Sequence, residues 1–223
     1  MKLTLVTPNG TQLSGITDFL ERSGTRSAPF HYRIKGTEIH LLVTGEGIIN
    51  TTYSLTKYLQ HQAVDLLIHT GIAFSLKKTV ETGSIVQLSS EQFIRDTSEP
   101  FEKTPTKENP GMPNQPGDNF QPDRLMKNPF TGQFLPVAVG LTSTTFPPDE
   151  EFATKLSKTF PDAAIVTPDG AAFFFAALSE NTKFLSLRAV THSLHETDGE
   201  KDADSAIAEM NEILAEMIKS LAV

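Results

Sequence analysis

The chain has 223 residues, enough for one α/β domain, 1–223, with a sizeable core. Its formal net charge of -8 argues against wrapping a nucleic acid polymer or docking on an anionic membrane, since nothing would neutralise the phosphates. Cysteine is absent, which excludes disulfides, thiolate metal sites and a thiol nucleophile and fits a reducing cytoplasm, the expected location.

Leu3 to Val6 reads as a short buried strand running into the turn residues Thr7-Pro8-Asn9-Gly10. That apolar run is too short for a signal peptide, and no stretch approaches the length of a membrane span. Leu13, Ile16 and Leu20 share one face of a helix ending near Ser23-Gly24. Phe30 to Ile34 and Glu38 to Thr44 flank a Lys-Gly-Thr turn and form a hairpin. Gly45-Glu46-Gly47 leads into a helix over Ile49 to Gln60.

Val64 to Thr70 is an apolar run of strand length that enters a turn at Gly71-Ile72-Ala73. Ser84 to Phe93 is another strand. From residue 97 to 131 proline, glycine and asparagine are dense and periodicity disappears, which marks a long surface excursion. Leu135 to Thr145, Ala163 to Val166 and Lys183 to Val190 are expected strands, with helices over Glu150 to Lys158 and Gly170 to Leu178 between them. The C-terminal helix lines up Ala203, Ile207, Met210, Leu214, Met217 and Leu221 in one apolar stripe. Strands alternating with helices predict an α/β fold in three layers, a central mixed sheet flanked by helices.

In open α/β sheets ligands bind beyond the carboxyl ends of strands. Three glycine-bearing segments fall at such places: Gly45-Glu46-Gly47, Gly71-Ile72-Ala73 and Asp169-Gly170-Ala171. Small residues let backbone approach a ligand, and free amides can donate to it. The plainer reading makes these glycines turns and Asp169 the cap of the helix starting at Gly170.

Leu41 to Asn50 resembles the "VTGxGxxNA" segment of the nucleoside phosphorylase/nucleosidase family, and Val64 to Leu76 its "DLxIxxGxAGxL" segment. Pro168 to Phe175 is similar to the family's "MEGAA" helix, and Phe184 to Thr191 to "FLxIRAIS". Within that family the likeness is strongest to futalosine hydrolases of menaquinone biosynthesis, through Phe173-Phe174-Phe175, Asn128-Pro129-Phe130 and the Ala206 to Asn211 helix. No glycine- and arginine-rich phosphate segment stands near Pro8-Asn9-Gly10 or after Gly71, which favours hydrolysis over phosphorolysis.

The resemblance implies a nucleoside phosphorylase-like fold and N-glycosidic cleavage of a purine nucleoside, with no cofactor. It also implies a homodimer or higher homo-oligomer, since the apolar segments around Ile48 to Leu59 resemble the interface elements of relatives. It implies catalytic roles for Gln12, Asp169 and His192, and substrate contacts from Gly45, Gly71, Ala73, Phe146, Thr167 and Asp169. The pattern departs from the family's at several of these. Gln12 stands at the usual base position, Asp169 replaces the ribose-binding Glu, and Thr167 replaces a Glu two residues before it. His192 stands where Asp or Asn is usual. His192 and His195 form a His-x-x-His pair without a third ligand, so no metal is expected. Alanine at Asp169 or His192 is expected to leave the fold intact, since neither is a large apolar group. These departures leave two readings: a divergent hydrolase, or a lapsed member that only binds a nucleoside or a protein partner.

Overall fold

The computed structural model describes residues 1–94, 125–129, 132, 134–195 and 203–222. Among them the chain alternates strands and helices around one large mixed sheet. Strand β1 (Lys2–Thr7) pairs in parallel with β4 (Thr37–Val43) and β5 (Leu66–Ser75). β4 turns back on β3 (His31–Ile34), and β2 (Thr25–Ala28) forms the sheet's edge. β5 is long enough to meet three partners. Its first half pairs β1, its last two residues pair β9 (Ile165–Thr167), and β10 (Phe184–Ser193) runs along its other edge. β6 (Ile85–Phe93) and β8 (Val137–Thr142) complete a closed ring from β10 back to β9.

Alternation along the strands sorts side chains to two faces. Leu3, Leu5, Ile68, Leu185 and Leu187 pack with α1 (Ser14–Ser23) and α5 (Ala203–Leu221). Val6, Leu67, Phe184 and Val190 face the other way, towards α2 (Gly47–His61) and α4 (Gly170–Ser179). A third cluster joins Phe74, Leu76 and Leu141 to α3 (Glu150–Thr159). The α/β class, the mixed sheet and the helices on both faces match the sequence expectation.

Three local expectations need correcting. Gly71-Ile72-Ala73 is not a turn: β5 continues through it to Ser75, because β10 supplies backbone partners that the sequence of β5 cannot reveal. β10 likewise runs past Val190 and carries His192 within the strand, at a register shift against β5. β2 was not expected, since its four residues are all exposed and show no alternation. Most of the expected excursion at 97–131 lies outside the described residues. Its described part adds β7 (Met126–Lys127) to the edge of β6.

Candidate active site

On the face of β10 and β5 that is turned to α4, three buried side chains among the apolar ones are polar: Ser186 and Arg188 on β10 and His69 on β5. His69, Ser186, Arg188 and Asp169 meet with no solvent exposure. Arg188 Nη2 lies 2.9 Å from His69 Nδ1 and 3.0 Å from Asp169 Oδ1; the latter is a close ion pair off hydrogen-bond alignment. His69 Nε2 is 3.3 Å from Asp169 Oδ2, and the imidazole stacks on the Phe173 ring at 4.1 Å. Burial, then the neighbouring Arg188 cation, pushes the His69 pKa down to about 4, so the ring is neutral. Burial alone would raise Asp169, but Arg188 and then His69 outweigh it and hold the carboxyl at about 2. Gly71 is the residue that makes this packing possible: a Cβ there would collide with Arg188 Nη1. Arg188 Nε and Nη1 are buried and have no acceptor.

Beside this group stands a carboxyl that sequence reasoning missed. Glu91, fully buried on β6, accepts hydrogen bonds at Oε1 from the Thr142 hydroxyl at 2.6 Å and from the Thr167 hydroxyl. The same hydroxyls accept from the first amides of α4: Gly170 N donates to Thr167 at 3.1 Å and Ala171 N to Thr142 at 2.7 Å. Burial raises the Glu91 pKa to about 7, against the two threonine bonds. Gly140 and Gly170 leave the room it occupies, since a Cβ on either would strike its carboxyl oxygens. Asp169 is the N-cap residue of α4 but makes no side-chain capping bond. The plainer reading of Asp169 as a helix cap therefore fails.

Of the remaining sequence candidates, Gly71 and Thr167 touch this buried group, and the others make contacts elsewhere. Gln12 lies in a 3-10 turn (Gly10–Leu13) directly after β1, where its Oε1 accepts from the Thr7 hydroxyl at 3.4 Å. The β1 and β4 ends are tied together by Thr44 N to Thr7 O at 2.9 Å and by Asn9 Nδ2 to Glu46 Oε1 at 3.3 Å. Gly45, between those ties, has φ +85, which only glycine adopts easily. Gly71 sits against Arg188 and Pro8, so it and Asp169 share one neighbour. Thr167 is committed to the Glu91 network. Ala73 is buried in β5, and Phe146 packs against the α3 cluster that holds Phe74. His192 is exposed four residues beyond Arg188, about 13 Å along the strand by its rise per residue. Its Nδ1 meets the Thr191 hydroxyl at 2.9 Å, while His195 Nε2 meets Leu76 O at 3.2 Å. Among the described residues no group of three or more His, Cys, Asp or Glu is placed to hold a metal ion.

The expectation that Asp169→Ala spares the fold is corrected by this geometry. The change would leave Arg188 as a buried cation without its anion, a loss on the order of 3–5 kcal/mol. A groove of about 1470 Å³ lies on the α1–α5 face, lined by Phe19, Leu135, Ile207 and Met217, and holds none of the candidate residues.

Residues 17–222 match the family model described as the phosphorylase superfamily. The chain belongs to the phosphorylase superfamily. Over 237 aligned residues it is 25% identical to a 5'-methylthioadenosine/S-adenosylhomocysteine nucleosidase of Maridesulfovibrio salexigens, covering 99% of this chain and 100% of that protein. Its fold superposes on the Campylobacter jejuni 5'-methylthioadenosine/S-adenosyl homocysteine nucleosidase with TM-score 0.74 at 18% identity, covering 100% and 99% of the two chains. A Helicobacter pylori futalosine hydrolase mutant gives TM-score 0.71 at 15% identity, covering 99% and 98%. Against the G-x-A-G part of the segment it resembles, this chain carries Phe74 at the second glycine, and that residue is buried.

Proposed function

We propose that the protein is a purine nucleoside N-ribosyl hydrolase. The observation that carries this reading is Asp169: a carboxylate held ionised at the N-terminus of α4, aligned with the family's ribose ligand and bound to no capping amide. It accepts hydrogen bonds from the ribose 2′ and 3′ hydroxyls, each worth roughly 1.5–3 kcal/mol because the acceptor is charged. Ribose binding exchanges part of its contact with Arg188 or His69 for the diol. The reaction passes through a ribosyl cation: water adds at C1′ and the purine leaves with the bonding pair. His192 protonates the departing base. Gln12 orients the water, and Glu46 or Asp169 takes its proton, since an amide cannot.

Futalosine is the substrate we favour. Asn128, in the segment shared with futalosine hydrolases, is built in on both sides: its amide donates to Ser89 O at 2.8 Å and its Nδ2 to Phe184 O at 3.1 Å. The relatives reported above make methylthioadenosine and S-adenosylhomocysteine the next substrates to try. Incubating the protein with these three and with inosine, and measuring free base, tests the proposal. Release from none of them sinks it.

A second reading keeps the fold and drops the turnover. It rests on Asp169 having no solvent exposure and on Gln12 standing at the base position. Here the chain binds a nucleoside or a protein partner without cleaving. Calorimetric binding of a nucleoside with no base release selects this reading over the first.

A further inference from the structure

Asp is among the preferred N-cap residues because its carboxylate accepts from the second or third amide of the helix. In α4 those donors are Ala171 N and Ala172 N, and Asp169 takes neither with its side chain. Ala171 N is already satisfied by Thr142 Oγ1, and Gly170 N by Thr167 Oγ1. A hydroxyl both donates and accepts, so its lone pairs face the amides only if its O–H is aimed elsewhere. Both O–H groups are aimed at one atom, Glu91 Oε1. The three residues come from β6, β8 and β9, 51 and 76 positions apart from Glu91 in the chain.

We propose that Glu91 is a positioning residue: by accepting hydrogen bonds from the Thr142 and Thr167 hydroxyls it turns those threonines into the cap of α4, and so frees the Asp169 carboxylate for Arg188 and the ribose. Only the last step, to the ribose, rests on the function proposed above.

The space supports this. Gly140 and Gly170 are the two positions at which a side chain would evict the Glu91 carboxyl, and both are glycine although Gly170 opens a helix that otherwise begins Ala-Ala-Phe. Arg188 already has Asp169 as its ion pair. Were Asp169 to rotate onto the α4 amides, that pair would open, and the carboxylate would leave the place the family's ribose ligand occupies.

The experiment compares Glu91→Leu, Glu91→Gln and Thr142→Val with the unaltered protein. Crystal structures of Glu91→Leu are expected to show Asp169 turned onto Ala171 N or Ala172 N and away from Arg188. Glutamine keeps an Oε1 acceptor, so Glu91→Gln is expected to leave Asp169 in place. Calorimetry with adenosine and with free adenine gives a second readout. Glu91→Leu should weaken adenosine at least tenfold and adenine less than twofold, and Glu91→Gln should restore adenosine binding. Asp169 still paired with Arg188 in Glu91→Leu overturns the proposal, as does an equal loss for adenosine and adenine. If Glu91→Leu does not fold, Thr142→Val decides in the same directions, removing one of the two capping hydroxyls. If the unaltered protein binds no nucleoside, the function proposed above fails, and the position of Asp169 in the variant crystals still decides this one.

Discussion

The buried floor under α4 and the rim at the strand ends use similar side chains held in opposite ways. In the floor, Asp169, His69, Arg188 and Glu91 come from four separate segments, and none has solvent exposure. On the rim, Glu46 and His192 are exposed, Gln12 is half-buried, and each rests on a local contact with Asn9, Thr191 or Thr7. A floor charge is set by its neighbours, so changing one residue changes the protonation and the packing of the rest. A rim residue can be exchanged with little consequence for folding. The floor therefore couples function to stability, and the rim is where function can be altered alone.

The sharpest way to break that contrast is to remove one floor charge. Arg188→Leu strands Asp169 as a buried anion, and Asp169→Ala strands Arg188 as a buried cation. Each should cost about 3–5 kcal/mol in urea unfolding. Replacing both at once, Arg188→Met with Asp169→Leu, should recover much of the loss, because a matched apolar pair avoids the unpaired charge. A single change costing less than about 1 kcal/mol would show that water reaches the floor. Gly140→Ala should cost roughly 1–3 kcal/mol by driving a methyl into the Glu91 carboxyl. The same change in a Glu91→Ala background should cost less, since the oxygens it strikes are gone.

The next effect is a slope. His69 binds a proton at about 4 in the folded chain against 6.5 ordinarily, so between those values the unfolded state holds more protons and stability rises with pH. Glu91 works in the other direction. Its carboxyl titrates at about 7 when folded and near 4.5 otherwise, so its contribution is complete below 4.5 and is lost as pH rises towards 7. The two oppose each other over most of the same window, and the melting temperature should be nearly flat there. Glu91→Gln removes the falling contribution and leaves the rising one. Its melting temperature should climb from pH 4.5 to 6.5, and a variant profile parallel to the original would show that Glu91 does not carry a proton in that range.

What could be read from the sequence follows the same division. The strands and helices with clean alternation or helical spacing were legible, as were the family segments that contain Gly45, Gly71 and Asp169. Gly71 was misplaced in a turn because glycine punctuates more often than it makes room, and the Arg188 guanidinium that needs the room is 117 positions away. His69 stood in plain view as a histidine inside the apolar run VDLLIHT, a signal that was present and not used. Glu91 left no such signal. It lies between two serines and a glutamine in SSEQF, which reads as a solvated edge. Only the threonines of β8 and β9 and the glycines at 140 and 170 mark it as buried, and their convergence belongs to the fold.

The smallest expected effect on folding belongs to the rim, and it is the one that tests the chemistry. His192 is exposed, lies next to the last residue of β10 and fills no core, so His192→Ala should change unfolding free energy by no more than about 0.5 kcal/mol. If it supplies the proton to the leaving purine, the same change should slow base release by roughly a hundredfold or more. With Nδ1 engaged by the Thr191 hydroxyl, Nε2 is the nitrogen left to reach a base. His192→Asp restores a residue type usual at this position and should recover part of the rate, because a carboxyl can also hold a proton for the purine. A His192→Ala enzyme that releases base within threefold of the original rate would remove His192 from the mechanism. The leaving group's proton would then have to come from solvent or from the floor.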